Sequence, residues 1–528
     1  MTADAAVATP DGQVVAVCAD ECLFDAVADG KRCALWNDTS QTWTDSLPTG
    51  TGELHNRARV YTKWLRERLL PVGGVMRGYF TDASFDQVHT YAGTRDSPIW
   101  TGVYLAAESM RFAQTQSTDA REQMEKTIRV LHRWWRVSGD RGYLARYAAP
   151  TSSPPQVLSI FNASDPENHR DVAFEGDTWH WKGNISRDQY QGAFFGYAMA
   201  YDVLADEALK EMMRSDIVAT VEQLMDKKTV PMELTVDGFP MSVSMELQHV
   251  IYTDDETPGG HPAMDVSTSP FDAADKGFVT FWPNPADHLR QIPLLSWLPD
   301  VYLRSQAVQL GGMFAVALHV TKDIPAYASR RAAIQTHYDE FFPRWLGMAE
   351  GWENNNDCGS SYHGLNIAFI PAFSWARLES DSQRRQDVEH KVLRDRMWAA
   401  VHDHKNVFFA YLYASQASAD VDQITSSHTD QLRQFPEPPN ISLAVNNQGA
   451  YPVDPDCDGQ SAVAMDVSHR IPTSFLWERN PWKLVGNLEP NKLYPGVDYL
   501  IAYWMARHYG YVEDDAPNTC LRWREETR

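Results

Sequence analysis

No uninterrupted apolar run in the sequence approaches the roughly 18 residues that a membrane-crossing helix needs, so no membrane span is expected. Clusters of Lys and Arg are also missing. With 47 basic against 70 acidic residues the formal net charge is −23, and a phosphate backbone would meet no basic face, which excludes nucleic acid as an expected partner. No HExxH, Walker, GxSxG or dinucleotide-binding fingerprint occurs in a suitable context, which removes the metalloprotease, nucleotide-binding and α/β-hydrolase readings. No CxxC pair occurs either, and the spacings of 4 and 11 between Cys18, Cys22 and Cys33 suit zinc poorly. The start, MTADAAVATPDGQ, has neither a basic n-region nor an apolar h-region, so no signal peptide is visible. A mature secreted or periplasmic protein with an added Met would look the same.

What the chain does contain points to an oxidising compartment. Its six cysteines are Cys18, Cys22, Cys33, Cys358, Cys457 and Cys520. Three of them fall in a short polar segment that would gain most from covalent closure, so residues 1–50 are read as a disulfide-stapled extension. Aromatics make up 12% of the chain, with 18 Trp, many beside Gly, Asn, Asp or His. Trp in such polar settings stacks on sugar rings, and it is equally a core residue.

From Leu54 onward the apolar residues recur at three and four, the period of helices that bury one face. Helices are expected near 101–114, 119–137, 190–204, 207–227, 305–321, 326–346, 362–378, 382–402, 407–414 and 497–508. Residues 143–182 read as a long connection, and 229–299 as an irregular or β-containing insert within a domain running from 51 to 528. Four helix openings share an aromatic residue two places before a glycine: Trp100-Thr101-Gly102, Tyr190-Gln191-Gly192, Tyr362-His363-Gly364 and Tyr494-Pro495-Gly496. Helical hairpins with a small residue where a helix enters a crowded centre are what a mainly α fold, an (α/α)6 toroid, requires. Such a ring gathers the loops before its inner helices at one mouth.

Two of these openings carry matching chemistry. Arg95-Asp96 and Arg187-Asp188 each precede a glycine and an apolar helix, placing a carboxylate where free backbone N–H groups and the helix dipole favour an anion. Simple capping would explain either one. Paired carboxylates also attack glycosidic bonds, one donating a proton while the other activates water or acts as nucleophile. Asp96, flanked by Trp100, is the expected proton donor. Trp179-His180-Trp181 and the stretch Trp477-Glu478-Arg479-Asn480-Pro481-Trp482 suit a sugar-binding rim, with Arg95 and Arg187 as further contacts. The polar run from Gly351 to Gly364 offers Trp352, Glu353, Asn355, Tyr362 and His363; with Tyr190, these could bind a uronate and relay a proton. Asp454, Asp456 and Asp458 imitate the first half of a calcium loop, but Met465 stands where an EF-hand needs Glu, leaving a non-EF structural calcium as the alternative to an acidic turn.

On these residues the Asp96 and Asp188 elements resemble the helix openings of (α/α)6-toroid carbohydrate-active enzymes, the unsaturated glucuronyl hydrolases and related polysaccharide lyases. The resemblance implies a toroid spanning about Leu54 to His508, with Asp96 and Asp188 sharing acid/base work. The Arg before each Asp and the insert at 229–299 depart from that pattern. The expectation is a secreted glycosidase with no required cofactor and a carbohydrate or other small-molecule substrate. A uronate lyase, an isoprenoid-alcohol-converting toroid and a non-catalytic glycan-binding protein are the alternatives.

Overall fold

The computed structural model describes residues 7–8, 14–15, 22, 31–37, 40–44, 53–236, 239–252, 263–265, 278–354, 357–359, 361–417, 420–513 and 519–525. The fold is mainly α, with small sheets at its edges. Helices of two kinds alternate along the chain. Thr118–Arg136 is one-sided: Met124, Thr127, Ile128, Leu131, Trp134 and Trp135 are buried, while Glu125, Lys126, Arg129, Val130, His132 and Arg133 reach solvent. Ser97–Thr115 instead buries every residue from Ser97 to Arg111, as a helix surrounded by protein must.

The deeply buried helices pack in a closed order. Ser97–Thr115 (the Asp96 helix) lies against Arg187–Val203 (the Asp188 helix), which touches Arg304–Val320 (the Gln309 helix). That helix packs on His363–Leu378 (the His363 helix), followed by Val407–Ala417 and Val497–His508 (the Asp498 helix), and the last returns to the Asp96 helix. Around them stand Glu53–Arg68, Thr118–Arg136, Glu207–Met225, Ala328–Ala349, residues 382–401 and Val421–Arg433, each against one or two of the buried six. Side-chain caps close some of the outer helices and not others. The outer helices beginning at Thr118, Glu207 and Ser382 are closed by the side chains of Ser117, Asp206 and Asp381. In five of the six buried helices described, the cap residue's own side chain makes no cap hydrogen bond; in the sixth, Asn406 accepts from the Phe409 N–H at 3.1 Å.

The tightest crossing joins the Asp96 and Asp188 helices. A Cβ on Gly102 would overlap the Gly192 carbonyl, one on Gly192 would lie 2.5 Å from the Ile99 backbone, and one on Gly196 would overlap the Gly102 carbonyl. The crowding expected at Gly102, Gly192 and Gly496 is real, and that expected at Gly364 is corrected. Nothing lies within 4 Å of a Cβ built on Gly364. Gly496 has φ +71, and its place is set by that left-handed turn and by the ring of Tyr61 behind it.

The stretch 143–182 is also corrected. It is not a structureless connection but a three-stranded antiparallel sheet, with Asp177–Lys182 between Tyr147–Pro150 and Asn168–Phe174. Its hairpin turns at Glu175 and Gly176, both with positive φ, the twist that two-residue hairpins favour. A second sheet pairs Arg77–Phe80 with Val88–Ala92 and Lys492–Leu493. The insert contains β-structure as expected: Lys228–Val236 pairs with Phe239–Leu247, and Val250–Tyr252 with Phe278–Thr280. Near the N-terminus, Lys31–Asn37 pairs with Thr519–Glu525, so the stapled extension shares a sheet with the chain's other end. Disulfides join Cys22 to Cys33 and Cys358 to Cys457, and Cys520 is disulfide-bonded as well. No helix among the described residues is long and apolar enough to cross a membrane.

Candidate functional site

Each sheet delivers a carboxylate to the start of a buried helix. Val88–Ala92 runs through the left-handed Gly93 (φ 93) into Asp96, and Asp177–Lys182 leads through Asn184 to Asp188. The strand Lys492–Leu493 likewise precedes Gly496 and Asp498. Asp96 occupies the cap position of its helix but makes no cap hydrogen bond, so simple capping does not account for it. Gln189 ties the two openings together: its amide oxygen accepts from the Ile99 N–H at 3.1 Å and its amide nitrogen donates to Asp188 at 2.7 Å. Asp96 and Asp188, 92 positions apart in sequence, therefore face one another's charge. The carboxyl of Asp96 is held above its ordinary range, first by burial and then by Asp188, against the pull of Arg146, Arg77 and Arg479.

The arginines next to these carboxylates in sequence are not the ones that serve them. Arg95 is exposed and reaches away to Glu167, at 3.0 and 3.3 Å. Arg187 donates to the Thr280 carbonyl at 3.1 Å and so ties the insert to the Asp188 helix. The cation between the two openings is Arg146, whose buried guanidinium donates to the carbonyls of Arg95 and Asn184 and to the Ser186 hydroxyl at 3.2 Å. It is a clamp on both motifs. No spacing rule identifies it, because it lies at the edge of a sheet the sequence did not reveal.

A third carboxyl comes from the long segment between Phe435 and Pro495. Phe475 stacks on Trp100 at 4.2 Å, the Leu476 N–H donates to Asp498 at 2.8 Å, and the Trp477 indole donates to the Asp498 carbonyl at 2.7 Å. Asn406 donates to the Trp477 carbonyl at 2.8 Å. These contacts fix the segment that carries Glu478, whose carboxyl feels the charges of Asp96 and Asp188. Burial pushes its carboxyl up to about 8; Arg479 opposes this, and the charges of Asp96, Asp188 and Asp498 add to it. Asp498 is raised to about 7 by burial, against hydrogen bonds from backbone N–H groups. The sequence carried Glu478 only as part of a rim; its cue as an acid was the sole carboxylate inside an aromatic, Pro-bounded stretch.

Most aromatic site residues expected from the sequence are core residues. Trp477 is 0% exposed and Trp100 is 3% exposed, so neither offers a face to a ligand. Trp179, His180 and Trp181 are buried in the sheet, with Trp181 stacked on His169 at 3.7 Å and the His180 Nδ1 accepting from the Asp171 N–H. Tyr190 is an internal strut, accepting from the Leu144 N–H at 3.0 Å and donating to the Gly142 carbonyl at 3.3 Å. Tyr362 is buried against His404 and Asn406, and burial raises its hydroxyl to about 12, which makes it a poor base. Trp352 is buried and donates to Ser305 at 3.1 Å. Glu353, His363 and Arg479 are exposed; Glu353 pairs with Arg304 at 3.3 Å, and Arg479 donates to Thr473 at 3.1 Å. Asn355 lies outside the described residues. Asp454 accepts from the N–H groups of Asp456 and Cys457 in a local turn, and among the described residues no group of three or more His, Cys, Asp or Glu is placed to hold a metal.

Comparison with family models, with curated proteins and with solved structures returned no match. The site is therefore read from its own geometry.

Proposed function

We propose that the protein is a secreted glycoside hydrolase built on an (α/α)6 toroid, with Asp96 and Asp188 as its carboxylate pair. The closed order of six buried helices among the described residues, five followed by an outer helix and the last packed on Glu53–Arg68 from the start of the domain, supports the toroid. The observation that carries the chemistry is that three carboxyls, those of Asp96 and Asp188 at the starts of two crossing buried helices and that of Glu478 from the segment packed on them, act on one another's charge. Acid/base cleavage needs one carboxyl protonated and one ionised at the same pH, and the upward shift of Asp96 favours it as the protonated member. Asp96, partly exposed and raised, donates the proton to the leaving oxygen. Asp188, in the first turn of its helix where the dipole favours an anion, acts as the base or nucleophile. Glu478 is neutral below about pH 8 and adds no further charge to the cluster in that range. The buried, hydrogen-bonded hydroxyls of Tyr190 and Tyr362 favour this reading over a lyase that would need one of them as base.

The test is to incubate the protein with a panel of nitrophenyl glycosides and oligosaccharides, recording nitrophenolate, new reducing ends and ultraviolet absorbance. Hydrolysis releases nitrophenolate and reducing ends with no absorbance gain from an unsaturated sugar, and both signals vanish in Asp96→Asn and Asp188→Asn. Reducing ends accompanied by unsaturated product would make the protein a lyase. Sugar binding that survives both substitutions with no turnover by the native chain would make it a glycan-binding protein.

A further inference from the structure

A cavity of about 250 Å3 adjoins the Asp188 end of the site, lined by residues that include Arg187, Arg304, Gln306, Gln309, Trp352 and Glu353. Gln306 and Gln309 stand in the first two turns of the Gln309 helix and are 6% and 1% exposed. The amide oxygen of each is buried with no hydrogen-bond partner. For Gln309 the orientation of the amide is fixed, because its nitrogen donates to the Ile367 carbonyl at 3.2 Å and a reversed amide would set oxygen against oxygen. Buried acceptors left unanswered destabilise a fold unless something bound supplies the donors.

The charged side chains and the indole of the cavity have partners. Arg304 pairs with Glu353 at 3.3 Å, Arg187 donates to the Thr280 carbonyl, and the Trp352 indole donates to Ser305. The unmet demand is therefore for hydrogen-bond donors, not for negative charge. Phosphate, sulfate or an ionised sugar acid would bring acceptor oxygens to acceptor oxygens. A neutral sugar ring brings several O–H groups at once. We propose that this cavity is the subsite for a neutral, hydroxyl-rich sugar unit beside the cleaved bond, with Gln306 and Gln309 accepting its hydroxyls. The assignment rests on the glycosidase reading and narrows its substrate to neutral glycans.

Methyl glucoside, methyl mannoside, methyl galactoside, glucuronate and inorganic phosphate are titrated into the native protein and into Gln306→Leu, Gln309→Met and Asp188→Asn, with binding followed calorimetrically and by ligand-detected NMR. At least one neutral glycoside is expected to bind more tightly than glucuronate or phosphate. Gln306→Leu and Gln309→Met should each weaken it about tenfold or more, with melting temperatures held near the native value. Tighter binding of either anion, no binding of any neutral glycoside, or unchanged affinity in both glutamine variants overturns the subsite. Asp188→Asn separates the two proposals: retained sugar binding with no turnover by any form removes the hydrolase and keeps the subsite. Turnover by the native chain that both glutamine variants leave unchanged in kcat and KM removes the subsite and keeps the hydrolase.

Discussion

The helix openings at Gly102 and Gly192 and the one at Gly364 read alike in sequence, yet they do different things. At the first two, backbones of crossing helices touch through positions where a side chain cannot fit, and that contact brings Asp96 and Asp188 together. At the third, the glycine faces open space, the tyrosine is buried, and His363 is exposed to solvent. An aromatic residue two places before a glycine is therefore no sign of a site by itself. The partner across the crossing decides.

The largest expected difference between these openings is in activity. On any glycoside the native chain hydrolyses, Asp96→Asn and Asp188→Asn should each lower kcat by about 10²–10⁴-fold, while His363→Ala should leave it within about twofold. Equal losses at all three positions would return the His363 opening to the site. Next in size is stability: Gly102→Ala or Gly192→Ala should cost ~3 kcal/mol or prevent folding, since the clash is with backbone and no rotamer relieves it. Gly364→Ala should change stability by at most about 1 kcal/mol, on the favourable side, as for any open helical glycine. Denaturant melts of the variants check both.

A subtler effect concerns pH. The folded carboxyls of Glu478 and Asp498 lie near 8 and 7, above their unfolded values of about 4, so the folded state holds protons that the unfolded state releases. Stability from these groups is fully present below about pH 4 and declines as pH rises through 7 and 8. Glu478→Gln, neutral at every pH, should lessen the slope of that decline from about pH 4 to pH 8. Unfolding free energies measured from pH 5 to pH 9 would show it, and an unchanged slope would mean that Glu478 is already ionised. The smallest expected effect is at Arg95: Arg95→Ala breaks an exposed pair with Glu167, worth about 0–1 kcal/mol, and should leave the carboxylate chemistry in place, whereas Arg146→Ala should disturb both Asp openings and lower kcat.

Much of the helical framework was legible because burial imposes its period on sequence. The expected helices near 101–114, 119–137 and 497–508 fall within a few residues of those observed. Val421–Arg433 was missed because VDQITSSHTDQLR carries only Val421, Ile424 and Leu432 as large apolar residues, too few to repeat. The sheet at 147–182 was missed because its strands are short and its buried side chains, such as Trp181 and His180, do not alternate cleanly with polar ones.

Most of the helical segments, the stapling of the N-terminal stretch by cysteines and the two Asp residues that open apolar helices were readable from sequence, since each of these is written in neighbouring residues. Only the tertiary structure decided that the helices pack in closed order, that Gly102 and Gly192 meet, that Arg146 and Glu478 join the aspartates while Arg95 does not, and that most of the expected sugar-binding tryptophans are core. Those outcomes depend on contacts between residues tens or hundreds of positions apart, and on burial, which no local spacing encodes.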